Sequence, residues 1–224
     1  PGGENEVGGT SLATHPLEVT FHGRSCHIAS LTDSGINALD CAVELYQKIK
    51  ELKKTFPKGA IVGAIFTEAG TAPNVVTPKA TIRMTVRGRT VDDLEGIILP
   101  AIKEAVQEIS SSYGAQVEMH HYEPLFKDMR QDKKLLDLFK DVMTEFGEIP
   151  RILPDDEADG STDVGNVSYE VPTAQPTLQI GLGLEAHTPE FTCAAGSDYG
   201  LAQAIKGAKI MAVVALRYAL LSDT

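Results

Sequence analysis

Cysteine is scarce in this sequence. Cys26, Cys41 and Cys193 are the three present in 224 residues. They are widely spaced and odd in number, and no CxxC pair occurs. This argues against a disulfide framework or a structural zinc knot. It fits a reducing compartment, so a cytoplasmic location is expected. Basic residues are also in deficit, with 20 Lys and Arg against 31 Asp and Glu and a formal charge of −11. A surface of that sign is unsuited to neutralising phosphates, so no nucleic-acid partner is expected. Long hydrophobic runs are missing. The longest mostly apolar stretch, residues 201–221, is interrupted by Lys206, Lys209 and Arg217. It reads as a buried helix rather than a membrane span, so no membrane partner is expected. The opening PGGENEVGGTS lacks the apolar core of a signal peptide and starts at Pro1. It reads as the interior of a longer gene product. There is no GxSxG, HExxH, phosphate loop or DNA-reading motif.

What is present has a globular balance, 42% hydrophobic and 23% charged. Residues 17–22 alternate as a half-buried strand does. A helix follows over DSGINALDCAVELYQKIKELKK. Ile36, Leu39, Val43, Tyr46, Ile49 and Leu52 form its apolar stripe, and Asp33 or Ser34 its cap. GAIVGAIFTEAG reads as a strand, and residues 79–88 as another with Arg83, Thr85 and Arg87 on its wet face. Residues 90–114 read as a helix that starts near Thr90 and Asp93, bends at Pro100 and stops at Gly114. AQVEMHHY closes as a strand. Strand, helix, strand, strand, helix, strand over 15–122 is the α+β ferredoxin-like pattern βαββαβ. The flanks, 1–14 and 123–224, read as an incomplete α/β segment. In it a helix over 132–147 leads to a loop, DDEADGSTDVGN, then a short strand around TLQIG, a second loop and a final helix.

Two loops and one strand carry candidate chemistry. His27 lies in HGRSCHIAS, between a strand and a helix; an isolated loop histidine is often only a surface residue. His187 lies between Glu185 and Glu190. It is either part of a solvated loop or an imidazole ligand held by a nearby carboxylate. GSTDVGNVS offers Thr162 and Asp163 as a pocket wall, with Asp163 as a helix cap the plainer alternative. Asn74 stands in a loop. Arg87 stands on a strand, where it is a surface arginine or a bidentate carboxylate ligand.

VTFHGRSCHIAS with GINALD, APNVVTPKATIRMTVRGRT, GSTDVGNVSYEVPT and AHTPEF together resemble a known group of enzymes. This is the zinc-dependent aminoacylase, carboxypeptidase and amino-acid amidohydrolase family, in the branch acting on N-acyl amino acids, aminobenzoyl-glutamate-like amides or dipeptides. The resemblance runs from about residue 15 to the end. It implies that 15–122 is a lid through which the protein forms a homodimer. It implies that 1–14 and 123–224 are part of a zinc-exopeptidase-type catalytic domain whose N-terminal half is absent. It implies two zinc ions, with His187 as a metal ligand. His27 would steady the tetrahedral oxyanion in the other subunit. Asn74 and Arg87, thirteen positions apart as in the family, would hold the substrate's carboxylate, also across the dimer. Thr162 and Asp163 would line the pocket. The family's earlier metal-binding segments and its Glu-Glu pair are not in these residues, so the isolated chain is expected to be inactive. The rival readings are a non-enzymatic dimerisation or ligand-sensing module and a catalytically dead homologue.

Overall fold

The structure is a computed structural model describing residues 1–29, 35–158 and 160–222. In chain order its elements are β1 (Glu6–Thr10), β2 (Ala13–His22), α1 (Ala38–Leu52), β3 (Ile61–Glu68), β4 (Lys79–Gly88) and α2 (Val91–Asp93). A π-helical turn (Leu94–Ile98), α3 (Leu99–Tyr113), β5 (Gln116–His120), α4 (Lys133–Glu145) and β6 (Arg151–Ala158) follow, then α5 (Val164–Ser168), α6 (Pro189–Ala195) and α7 (Asp198–Ser222). The chain divides into two compact units. One is Leu12–Asp128 with Ser161–Asp163; the other is Pro1–Ser11, Met129–Gly160 and Val164–Thr224.

In the first unit a four-stranded antiparallel sheet runs in the order β3-β4-β2-β5. β2 and β4 pair along their whole length, from Ala13↔Gly88 to His22↔Lys79. The period of two sorts their side chains onto two faces. Leu17, Val19, Phe21, Ile82, Met84 and Val86 are fully buried, while Arg83 on the other face is exposed. α1 packs on α3, β2 and β4, and α3 packs on β5.

The stripe expected for α1 is corrected. Its buried residues are Ala38, Cys41, Ala42, Leu45 and Ile49, and Val43 is exposed. Small side chains let the helix lie close, and the larger Tyr46 sits to the side against Phe66, with ring centroids 5.8 Å apart. Asp33 and Ser34 lie outside the described residues. The helix cap is Asn37, whose Oδ1 accepts from the Leu39 N–H at 3.1 Å.

The bend expected at Pro100 takes the form of the π-helical turn. Proline brings no N–H and its ring crowds the carbonyl four residues back, and a widened turn relieves both. Thr90 caps the start, accepting from the Asp93 N–H at 3.1 Å, and Gly114 stops α3 at φ 66. That left-handed conformation is cheapest for glycine.

In the second unit β1 and β6 pair in parallel from Glu6↔Arg151 to Thr10↔Ala158, with a register shift between Gly8 and Thr10. This corrects two expectations. DDEA belongs to a strand, not a loop, because the backbone of β1 supplies the pairing that its side chains do not advertise. TLQIG makes only isolated bridges, Gly2↔Gln179 and Glu6↔Thr177. α4 sets Phe139, Val142 and Met143 against Ile210 and Val214 of α7 and Val7 of β1. Glu148, nearly buried, accepts from Asn5, Gln203 and Lys206 and so ties the start of the chain to α7. Among the described residues no helix is long and apolar enough to cross a membrane.

Candidate functional site

His27 sits on an extension of the β2–β4 ribbon beyond the end of the sheet. The chain leaves β2 through Gly23, where any Cβ would overlap the carbonyl of Ile36. Arg24 and Ile36 then exchange backbone hydrogen bonds of 2.9 and 3.0 Å. Next, Ile28 N–H donates to the Asn74 carbonyl at 3.1 Å, and Val76 N–H to the Cys26 carbonyl at 2.9 Å. These two bonds flank His27 and Val75, which face each other in a narrow, non-hydrogen-bonded pair. Side chains in such a pair share a face and lie close.

The ring of His27 is exposed and has a defined hydrogen bond. Its Nδ1 accepts the backbone N–H of Ala29 at 3.1 Å. A neutral imidazole carries one proton, so accepting at Nδ1 puts that proton on Nε2. The local fold therefore sets Nε2 as a donor. That is the tautomer needed to stabilise a developing oxyanion.

Asn74 is exposed beside this pair, and its backbone carbonyl holds Ile28. Arg87 lies at the opposite end of β4, across from Thr14 and Ile61. From Lys79 to Arg87 the strand rises about 26 Å, and Asn74 lies beyond the Lys79 end. Asn74 and Arg87 of one chain therefore stand at opposite ends of the strand. The spacing of thirteen is the length of a strand. Arg87 is half-buried, and its side chain makes no ion pair or hydrogen bond among the described residues. Arg83, two residues earlier, is bound to Glu18. Arg87 is thus the arginine of this face that remains open to an anionic ligand.

His187 is exposed and has φ 65, outside the usual range for a side-chain-bearing residue. Such conformations concentrate at functional sites. It precedes Thr188, the cap of α6, whose Oγ1 accepts from Phe191 at 3.2 Å. No carboxylate holds its ring among the described residues, against the expectation for Glu185 or Glu190. Nor do three His, Cys, Asp or Glu gather as a metal-holding group among them. The described residues therefore do not fit a complete zinc site. Thr162 is half-buried and Asp163 exposed, both in the short segment before α5.

The sequence reading missed an electrostatic array on the sheet. Glu18 is buried on central β2 and accepts from Arg83 and from His120 Nε2, the latter at 2.8 Å. The hydrogen bond from Arg83 holds its carboxyl below the usual range, against the opposing effect of burial, and His120 assists. Tyr122 lies 5.0 Å from the Arg83 guanidinium. His121 stacks on His15 with ring centroids 3.7 Å apart. Burial, then the charges of His121 and Lys103, push His15 down to about 4. His15 is therefore neutral near pH 7. His120 and His121 drew no role from sequence because their partners lie about 100 residues earlier in the chain.

The profile of the peptidase dimerisation domain matches residues 16–117. Among curated proteins, the chain is similar to the Xaa-Arg dipeptidase of Homo sapiens. The two are 27% identical over 220 residues, covering 96% of this chain and 50% of that protein. The chain thus spans about half the length of the curated relatives it matches first. Among solved structures, it is similar in fold to an amidase of the hydantoinase/carbamoylase family from Burkholderia vietnamiensis. The TM-score is 0.62 and the identity 14%, over 76% of this chain and 41% of that one. It is also similar to the aminobenzoyl-glutamate utilization protein from Klebsiella pneumoniae. There the TM-score is 0.61 and the identity 19%, over 74% and 42% of the two chains.

Proposed function

We infer that this chain, whose residues 16–117 match the peptidase dimerisation domain, is part of a hydrolase that cleaves the amide bond of an N-acyl amino acid, an aminobenzoyl-glutamate-like compound or a dipeptide. The observation that carries the reading is the tautomer of His27. The Ala29 N–H at Nδ1 leaves Nε2–H as the donor. A fixed donor of that kind stabilises negative charge that appears on the carbonyl oxygen only as the bond breaks. Arg87, unpaired and half-buried, is suited to the substrate's carboxylate. Thr162 and Asp163 are proposed to line the pocket, and His187 to ligate metal.

The two zinc ions implied by the resemblance have no complete ligand set among the described residues. The remaining ligands and the general base are proposed to lie on sequence outside these 224 residues. The exposed apolar face of α7, with Ile205, Leu216 and Leu220, supports a further covering layer. The alternative, a dimerisation or ligand-sensing module without turnover, draws on the same lack of a metal-holding group.

Residues 15–122 are read as a ferredoxin-like lid, and the partner as a second copy. β3 pairs with β4 on one side and leaves its other edge open, with Ile61 and Ile65 exposed. An open apolar edge is a template for strand pairing. A two-fold contact centred on Gly63, where an added Cβ meets nothing within 4 Å, sets Ile61 against the partner copy's Ile65. His27 then serves the neighbouring copy's cleft, in a protein of cytoplasmic location.

The test is His27→Ala in a protein of the relatives' length that contains this chain. Loss of one oxyanion donor costs about 3 kcal/mol, so kcat should fall roughly a hundredfold with metal content unchanged. An unaltered kcat contradicts the assignment.

A further inference from the structure

Val75 lies directly across from His27, in the pair flanked by the Ile28–Asn74 and Val76–Cys26 backbone bonds. By the geometry of a non-hydrogen-bonded pair, its side chain stands on the same side of the ribbon as the His27 ring, at about 4.5 Å between Cα atoms. It is 38% exposed and Ile28 64%. A branched apolar side chain left open beside a polarising donor has no role in the core. Val75 and Ile28 also line a groove of about 360 Å³ with Ala72, Pro73 and Thr71. Among the described residues no charged side chain lines it. That volume lies at the lower end of the range of small-molecule pockets.

We propose that Val75, with this groove, is a specificity-determining contact of the site: it receives an apolar group attached within a few bonds of the carbonyl that His27 addresses. The inference rests on the hydrolase reading above. An oxygen held by Nε2–H of His27 places its carbon and the adjoining substituent beside the histidine ring. The side chain directly across the ribbon is that of Val75, which pairs with His27. An apolar substituent is therefore favoured over a polar or charged one at that position. Each methylene fitted to such a surface is worth about tenfold or more in discrimination.

The experiment uses the protein of the relatives' length and two substrate series. One varies the acyl chain from acetyl to hexanoyl on one amino acid. The other varies the amino acid from serine to leucine under one acyl group. Val75→Asn keeps the approximate size and removes the apolar character. Val75→Ala tests contact area alone. Ile97→Asn, at an exposed position on the π-helical turn, is the control for a general surface effect. Thermal melts establish that each variant is folded. The expected result is a fall of about tenfold in the apolar-to-small kcat/KM ratio within one of the two series for Val75→Asn. Val75→Ala should shift the same ratio less, and Ile97→Asn should leave both unchanged. The series that responds identifies which side of the carbonyl the groove receives. Ratios within twofold of the unaltered protein in both series overturn the inference while leaving the hydrolase reading standing. An unaltered protein that turns over no member of either series overturns the hydrolase reading and this inference with it.

Discussion

Replacing Glu148 by glutamine tests how the second unit is held together. Glu148 is 8% exposed and accepts from Asn5 Nδ2 at 2.7 Å, Gln203 Nε2 at 3.2 Å and Lys206 Nζ at 2.5 Å. Burial alone pushes this carboxyl up. The hydrogen bonds from Lys206, Asn5 and Gln203 outweigh burial and hold it below its ordinary value. Hydrogen bonds to a charged group contribute about 1.5–3 kcal/mol each, and neutral ones about 1. Glutamine keeps the shape and one acceptor oxygen but loses the charge. The expected loss is about 2 kcal/mol, most of it at Lys206. At a slope near 1–1.5 kcal/mol per molar urea, the midpoint should fall by roughly 1.5 M. The chain has no tryptophan, so far-UV circular dichroism is the suitable probe. The pH dependence fixes the cause. A carboxyl whose folded pKa is depressed stabilises fully above its unfolded value near 4.5. That contribution is lost as pH falls through the folded pKa, because the unfolded state then binds the proton first. The gap between the parent and Glu148→Gln should therefore be full at pH 7 and close at strongly acid pH. A gap below about 0.5 kcal/mol at pH 7, or one unchanged by acid, refutes the reasoning.

Two further substitutions probe the first unit. Gly23→Ala drives a methyl group into the Ile36 carbonyl. It should cost about 1–3 kcal/mol in urea unfolding, as overpacking does, and a change under about 0.5 kcal/mol contradicts the close approach. Ile65→Lys places charge on the exposed edge of β3 and should shift the chain from dimer to monomer in light scattering. Gly63→Cys should cross-link to its own copy under oxidation. A dimer unaffected by Ile65→Lys places the contact elsewhere.

The strands and helices of the sheet in the first unit were legible because their side chains repeat at the periods of the elements. Ile82, Met84 and Val86 alternate with Arg83, Thr85 and Arg87, and both Thr90 and Gly114 are end signals with a mechanism. The buried stripe of α1 was not legible. A scan for large apolar residues passes over Ala38, Cys41 and Ala42, which are buried because they are small. β6 was missed because pairing with β1 is made by backbone, and DDEA carries no apolar alternation. The roles proposed for His27, Asn74 and Arg87 come from resemblance, which says nothing of their arrangement. Sequence spacing does not distinguish a turn from a strand, and ten residues of β4 hold Arg87 far from Asn74. The Nδ1 contact of His27 depends on one backbone N–H two residues on, a detail of local conformation with no signature in residue type.

The central claim is that His27 acts as an oxyanion donor for the neighbouring copy. It is tested most directly by mixing two inactive variants of the protein of the relatives' length, His27→Ala and His187→Ala. Each homodimer carries two defective sites. A mixed dimer has one site with both histidines intact, by the reciprocal geometry of a two-fold interface. The account predicts that hydrolysis of an N-acyl amino acid or dipeptide returns toward about half the parent value per mixed dimer. Demonstrated subunit exchange with no return of activity would contradict it.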